Sequence, residues 1–140
     1  MKKKIAWIED DIDVIDAVVR PLVNAGFEFK EFHTYSEVLD NLEEIFDCDL
    51  ILLDLIFPPG QKAKEIEVDD EPLGLKFLEV VKEHKPQIPI IILSVIAKTE
   101  SVDKKLDDYR AVLNFRQQPK AVRPSKLKAL VYEMLKIEEE

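Results

Sequence analysis

The sequence predicts an α/β fold: a doubly wound, five-stranded parallel sheet with helices on both faces. Three observations predict it. Short apolar runs bounded by turn residues recur five times along the chain. Between them lie segments whose apolar residues repeat at helical spacing. The links are short, and strands alternating with helices through short links form a parallel sheet covered by those helices. The run from Leu50 to Phe57 is the centre of this arrangement. It is interrupted by one carboxylate, Asp54, and stopped by Pro58-Pro59-Gly60. Such a run reads as a strand buried on both faces, so Asp54 belongs where its carboxyl end opens to water.

Taken in order, Lys4-Ile5-Ala6-Trp7-Ile8 is a first strand ending at Glu9-Asp10-Asp11. Ile12, Ile15, Val18, Val19, Leu22 and Val23 mark a helix stopped by Gly26, with Asp11 or Asp13 as its cap. Pro21 inside that pattern predicts a kink or local break. Phe27, Phe29 and Phe32 suggest a second strand, and Val38, Leu39, Leu42, Ile45 and Phe46 a second helix capped by Thr34 or Ser36. After the central strand, the charged stretch from Gln61 to Pro72 has no sustained period and reads as an inserted loop at about 60–72. Leu75, Phe77, Leu78 and Val81 form a third helix ending before Pro86, and Ile88 to Val95 a fourth strand. Ser101 to Tyr109 is a charged fourth helix, Ala111-Val112-Leu113-Asn114-Phe115 a fifth strand, and Ser125 after Pro124 opens a last helix.

At 140 residues the chain fits one domain, 1–140, able to bury ~68–70% of its unfolded surface. Hydrophobic residues at 46% and charged residues at 35% describe a globular protein, not a disordered one. A net charge of −9 disfavours direct nucleic-acid binding. The lone Cys48 excludes an internal disulfide and suits a reducing cytoplasm. Met1-Lys2-Lys3-Lys4 is followed too soon by acids to head a signal peptide, and no apolar run nears the ~20 residues of a membrane span. Three glycines leave no glycine-rich phosphate loop. Trp7 reads as core, Cys48 as a small, partly buried hydrophobe, and His33 and His84 as surface residues.

In a parallel sheet the carboxyl ends of the strands share one edge. That edge gathers Glu9, Asp10 and Asp11 from strand one, Asp54 from strand three, Ser94 from strand four and the Arg116-Gln117-Gln118-Pro119-Lys120 stretch from strand five. Carboxylates about 5 Å apart repel by roughly 3 kcal/mol per pair at an effective dielectric near 20, so such a cluster protonates or binds a cation. Oxygen donors without histidine favour magnesium over zinc. A magnesium site attracts phosphoryl groups, and an adjacent carboxylate is a nucleophile toward phosphorus.

These residues carry a resemblance. Ile5-Ala6-Trp7-Ile8-Glu9-Asp10-Asp11 resembles the opening of response-regulator receiver domains of the chemotaxis-regulator-like family, whose fold is flavodoxin-like, (βα)5. Asp49 to Pro58 matches the family's phosphoacceptor strand, including the proline four residues past the aspartate. Gly74-Leu75 is similar to the start of its third helix, and Pro89-Ile90-Ile91-Ile92-Leu93-Ser94 to its fourth strand. The resemblance implies that Asp54 accepts a phosphoryl group from a histidine kinase or phosphotransfer protein. It implies magnesium held by Glu9, Asp10, Asp54 and the Ile56 backbone carbonyl. Ser94 would hydrogen-bond the phosphoryl group, and Phe115 stands at the switch aromatic. Output would pass through the face of the fourth helix, fifth strand and fifth helix to an effector protein or a second copy of the chain. Such a domain promotes its own phosphoryl transfer without being a turnover enzyme.

Two features depart from the family pattern. Gln118 precedes Pro119 where the family carries lysine, and the 60–72 loop is inserted beside the site. Gln118 motivates an alternative, a degenerate receiver that binds partners without phosphorylation. A phosphatase using Asp54 as nucleophile is disfavoured, because Ile56 stands where phosphatases of the haloacid-dehalogenase type carry a second aspartate.

Overall fold

The computed structural model describes residues 3–9, 12–54, 73–94, 100–119 and 122–137. Its strands are β1 (Lys4–Ile8), β2 (Glu28–Phe32), β3 (Leu50–Asp54), β4 (Ile90–Ser94) and β5 (Phe115–Pro119). Its helices are α1 (Ile12–Asn24), α2 (Tyr35–Asp40), α3 (Leu42–Phe46), α4 (Leu73–His84), α5 (Glu100–Arg110) and α6 (Pro124–Leu135). The strands form one all-parallel sheet in the order β2-β1-β3-β4-β5. This is the predicted doubly wound α/β fold, and the inserted stretch 60–72 lies outside the described residues.

Alternation along the strands builds two cores, because neighbouring side chains point to opposite faces of the sheet. Ala6, Ile8, Ile51, Leu53, Ile90 and Ile92 face α2, α3, α4 and α5, meeting Val38, Ile45, Leu78 and Leu106. Ile5, Trp7, Leu50, Leu52, Ile91 and Leu93 face α1 and α6, meeting Val19, Leu22, Leu127 and Val131. Both faces of β1 and β3 are therefore dry, which is why their sequences run apolar without polar interruption. Cys48 is buried as well, beyond the partial burial expected of it.

Local chemistry sets most boundaries. Thr34 caps α2 by accepting the Glu37 amide at 3.2 Å. Gly26 stops the chain after α1 with φ +100°, a left-handed conformation that side chains rarely adopt. Pro124 opens α6 at a position where its missing amide costs nothing.

Three expectations need correction. Pro21 does not break α1, which runs on to Asn24; the Pro21 carbonyl accepts the Ala25 amide at 3.0 Å. The single second helix is two, divided at Asn41 (φ −128°, ψ 30°). There the Asn41 side chain donates to the Glu37 carbonyl at 2.7 Å, competing with regular helical bonding. The fifth strand is Phe115–Pro119 and not Ala111 to Phe115. Ala111, Val112 and Leu113 instead turn the chain out of α5, with the Val112 and Leu113 amides donating to the Tyr109 carbonyl at 3.0 and 2.8 Å. Val112, an apolar residue that suggested a strand, is 45% exposed.

Candidate functional site

The register of β1 on β3 is pinned at the amino edge of the sheet. The Lys4 amide donates to Asp49 Oδ2 at 2.8 Å, and the Asp49 amide donates back to the Lys4 carbonyl at 2.8 Å. From there Ile5, Ala6, Trp7 and Ile8 pair with Leu50, Ile51, Leu52 and Leu53. The next residue on each strand is a carboxylate, Glu9 on one and Asp54 on the other. The Glu9 amide donates to the Phe32 carbonyl at 3.0 Å, which holds Glu9 in line with β1.

These acids are the two buried charged residues named among the described part of the chain, Glu9 at 1% and Asp54 at 3% exposure. They lie on adjacent strands, whose spacing is about 4.8 Å. Their location is also the topological switch point: β1 leads outward to β2 on one side, and β3 leads to β4 and β5 on the other. Open α/β sheets bind ligands in the crevice at that point. Two carboxylates side by side in a buried position favour a proton or a cation between them. The donors are oxygen and no histidine adjoins them in sequence, which suits a hard cation such as magnesium. Among the described residues there is no group of three potential metal ligands. Asp10, Asp11 and Ile56, which the sequence assigned to the same site, lie outside the described residues.

The register extends the row across the sheet. Asp54 pairs with Leu93, and Leu93 with Gln118. Asp54 and Gln118 therefore project from the same face of the sheet, the face covered by α1 and α6. Ser94 ends β4 one residue past Leu93, paired with Pro119. The sheet thus brings Glu9, Asp54, Ser94 and Gln118 to one edge. Phe115 is three residues back on β5, paired with Ile90 near the amino edge and buried on the opposite face. It is not part of the acid row. Arg116 is exposed and 3.8 Å from Glu133, so its charge is directed away from Asp54.

Sequence reasoning missed a contact set on β5. The Arg110 guanidinium lies 5.2 Å from the centre of the Phe115 ring and donates to Gln117 Oε1 at 2.6 Å. An exposed cation–π contact is worth about 0.5–1 kcal/mol. The sequence conceals this contact set, because the apolar run Ala111 to Phe115 that suggests a strand ends where β5 begins. A second tie, Tyr109 hydroxyl donating to Glu79 at 2.9 Å, joins α5 to α4. A groove of about 1310 Å³ runs elsewhere, along α1 and α6 past Arg20, Phe27, Lys128 and Tyr132. The acid row does not line it.

Near the amino edge, burial pushes the Cys48 thiol up from its ordinary 9.0 to about 11, with the Glu44 carboxylate adding to the shift. Its sulfur donates to the Glu44 carbonyl at 3.4 Å. Cys48 is a packed thiol and not a nucleophile. His84 stacks on Phe46 at 5.5 Å, and His33 donates its backbone amide to Glu37. No helix among the described residues is long and apolar enough to cross a membrane.

No protein-family model matches the sequence, and no curated protein matches it significantly. Solved structures do match. A CheY-like response regulator receiver domain protein from Methanospirillum hungatei has 24% identity and a TM-score of 0.72, over 97% of this chain and 95% of that one. A two-component response regulator from Clostridium difficile has 18% identity and a TM-score of 0.71, over 96% and 97%. The BeF3-activated receiver domain of Klebsiella pneumoniae RstA has 18% identity and a TM-score of 0.69, over 95% and 98%. The fold is that of CheY-like receiver domains, across nearly the whole chain.

Proposed function

We propose that this chain is a response-regulator receiver domain that accepts a phosphoryl group on Asp54 and thereby switches a protein-binding face. The observation that carries the proposal is the pair Glu9 and Asp54, buried side by side at the switch point of a receiver fold. In the transfer, an Asp54 carboxylate oxygen forms a bond to phosphorus as the bond from phosphorus to the donor breaks. The donor is a phosphohistidine of a kinase or phosphotransfer protein, and the bonding electrons leave with its imidazole nitrogen. Glu9, Asp10, Asp54 and the Ile56 carbonyl would hold Mg2+, which supplies charge neutralisation for the incoming phosphoryl oxygens. Ser94, the last residue of β4, would hydrogen-bond the phosphoryl group.

The output face is α5, β5 and α6, read by an effector protein or a second copy of the chain. The switch is a shift between two arrangements, and the phosphoryl group must favour one of them. The domain works in the cytoplasm, with no catalytic turnover beyond its own phosphorylation and dephosphorylation. One observation favours a second reading, a partner-binding module independent of phosphorylation: Gln118 occupies the β5 position aligned with Asp54 and brings no positive charge.

Incubation with Mg2+ and acetyl phosphate or beryllofluoride, followed by intact mass and amide spectra, separates the two. The receiver reading expects an adduct on Asp54 and magnesium-dependent shifts along β4 and β5. No adduct and no shift would leave the phosphorylation-independent module.

A further inference from the structure

We propose that Arg110 is a positioning residue that clamps Phe115 inward and ties the last turn of α5 to β5. Its guanidinium meets three partners at once. The Phe115 ring centre lies 5.2 Å from the guanidinium carbon, Nη2 donates to Gln117 Oε1 at 2.6 Å, and Nε donates to Asp107 Oδ1 at 3.0 Å. Phe115 and Gln117 are two apart on β5 and so project from the same face. A planar fork lying over the ring therefore reaches the Gln117 amide without leaving the aromatic surface. Asp107, one turn back on α5, orients that fork. An arginine at an exposed helix end would otherwise spread over many rotamers.

The arrangement concentrates control in one side chain. Phe115 has no hydroxyl, so it makes no polar contact of its own at its 7% exposed position. Among the described residues, Arg110 adds to the core packing of Phe115 a cation over the ring, 5.2 Å from its centre. The clamp is also remote from the acids: Phe115 pairs with Ile90, whereas Asp54 pairs with Leu93 at the other end of β4. Removing the clamp should therefore free the ring without altering Glu9 or Asp54. That this matters for signalling rests on the receiver reading above, since a face that switches through α5 and β5 must open the clamp. The clamp itself does not depend on that reading.

The test uses the full chain carrying 4-fluorophenylalanine at position 115, with no phosphoryl donor present. The parent should give one dominant fluorine resonance from the inward ring. Arg110→Met, which keeps the stem but loses the charge and fork, should raise a second resonance about threefold in population. It should also speed amide exchange at Gln117. Arg110→Lys keeps the charge without the fork and should fall between the two. Gln117→Leu leaves ring and charge in place and should move the spectrum the same way by less. It also serves as the test if Arg110→Met does not fold. Unchanged ring populations and unchanged Gln117 exchange in the folded variants would overturn the clamp. Release of the ring in a chain that takes no beryllofluoride adduct would uphold the clamp and sink the receiver reading. Adduct formation with a ring indifferent to Arg110 would do the reverse.

Discussion

β3 and β5 are five-residue strands of one sheet, separated by β4, yet their burial is opposite in character. Every residue of β3 is buried, from Leu50 to Asp54. On β5 only Phe115 is buried; Arg116 and Pro119 are exposed, and Gln117 and Gln118 are partly so. β3 has a strand on each side and helices on both faces, whereas β5 is an edge. A reactive carboxylate needs a rigid, desolvated frame, and a surface that changes state needs low local stability. The proposed acceptor thus lies at the buried centre and the proposed output surface at the rim, with β4 paired to both.

The largest effect is expected at Asp54. Asp54→Asn keeps the shape of the side chain and removes the nucleophilic oxygen charge. It should abolish the acetyl phosphate adduct completely, as read by intact mass, while the variant remains folded by amide spectra. An adduct of undiminished yield would put the chemistry elsewhere and dissolve the contrast.

The same contrast decides what the sequence revealed. β3 was legible because burial on both faces demands an unbroken apolar run, and a lone aspartate within one stands out. That Glu9 shares its edge followed from the common carboxyl edge of a parallel sheet, while the pairing of β1 with β3 needed the structure. β5 was misplaced because an edge strand needs no apolar run: Phe-Arg-Gln-Gln-Pro carries one core residue, while the nearby Ala-Val-Leu looks like a strand and forms the turn. Asn41 was passed over for a related reason. Its effect on α2 and α3 comes from a side-chain bond to the Glu37 carbonyl, which spacing of apolar residues does not encode. The row from Asp54 through Leu93 to Gln118 needed the pairing registers themselves.

A core substitution on β3 sets the energetic scale. Leu52→Ala, at a fully buried side chain in the core cluster that includes Val19, Leu127 and Val131, should cost about 2–5 kcal/mol by chemical denaturation. A cost below about 1 kcal/mol would mean that the centre of the sheet relaxes around a cavity and is not rigid.

At the entry to β3, Cys48 supplies a pH test of the same burial. Below pH 9 the thiol is protonated in both folded and unfolded chains, so it adds no pH dependence. Between its ordinary 9.0 and its folded value of about 11, the unfolded chain loses the proton while the folded chain keeps it. Folding stability should therefore fall across that window, by up to about 3 kcal/mol from this group. Lysines and tyrosines titrate there too, so the measurement is the difference in slope between the parent and Cys48→Ala. Equal slopes would show that the thiol is not desolvated.

β5 reaches the acid row at Gln118. Gln118→Lys puts a flexible cation on the sheet face that carries Asp54, one strand beyond Leu93. Apparent affinity for beryllofluoride should rise about tenfold, since an opposite charge within reach stabilises the added negative charge. Thermal stability should move little, because position 118 is only partly buried. A gain in adduct formation would show that the edge strand limits the reaction the central strand performs. No gain would show that the row's geometry, and not its charge, sets the limit.

The smallest expected effect tests the rim itself. Arg116 is exposed and its partner Glu133 on α6 is 3.8 Å away, with side chains 58% and 66% accessible. Ion pairs in that setting contribute little, because water screens them and two long side chains must be ordered to form them. Arg116→Ala should change stability by less than about 0.5 kcal/mol in denaturant titration. The same change should leave the Asp54 adduct intact, since Arg116 projects from the strand toward Glu133 and not along the acid row. A loss above about 1 kcal/mol would mean that α6 is fastened to β5 by charge, making the rim a structural element rather than a pliable one. The difference between Leu52→Ala and Arg116→Ala is thus the quantity on which the division between a rigid centre and a permissive edge stands or falls.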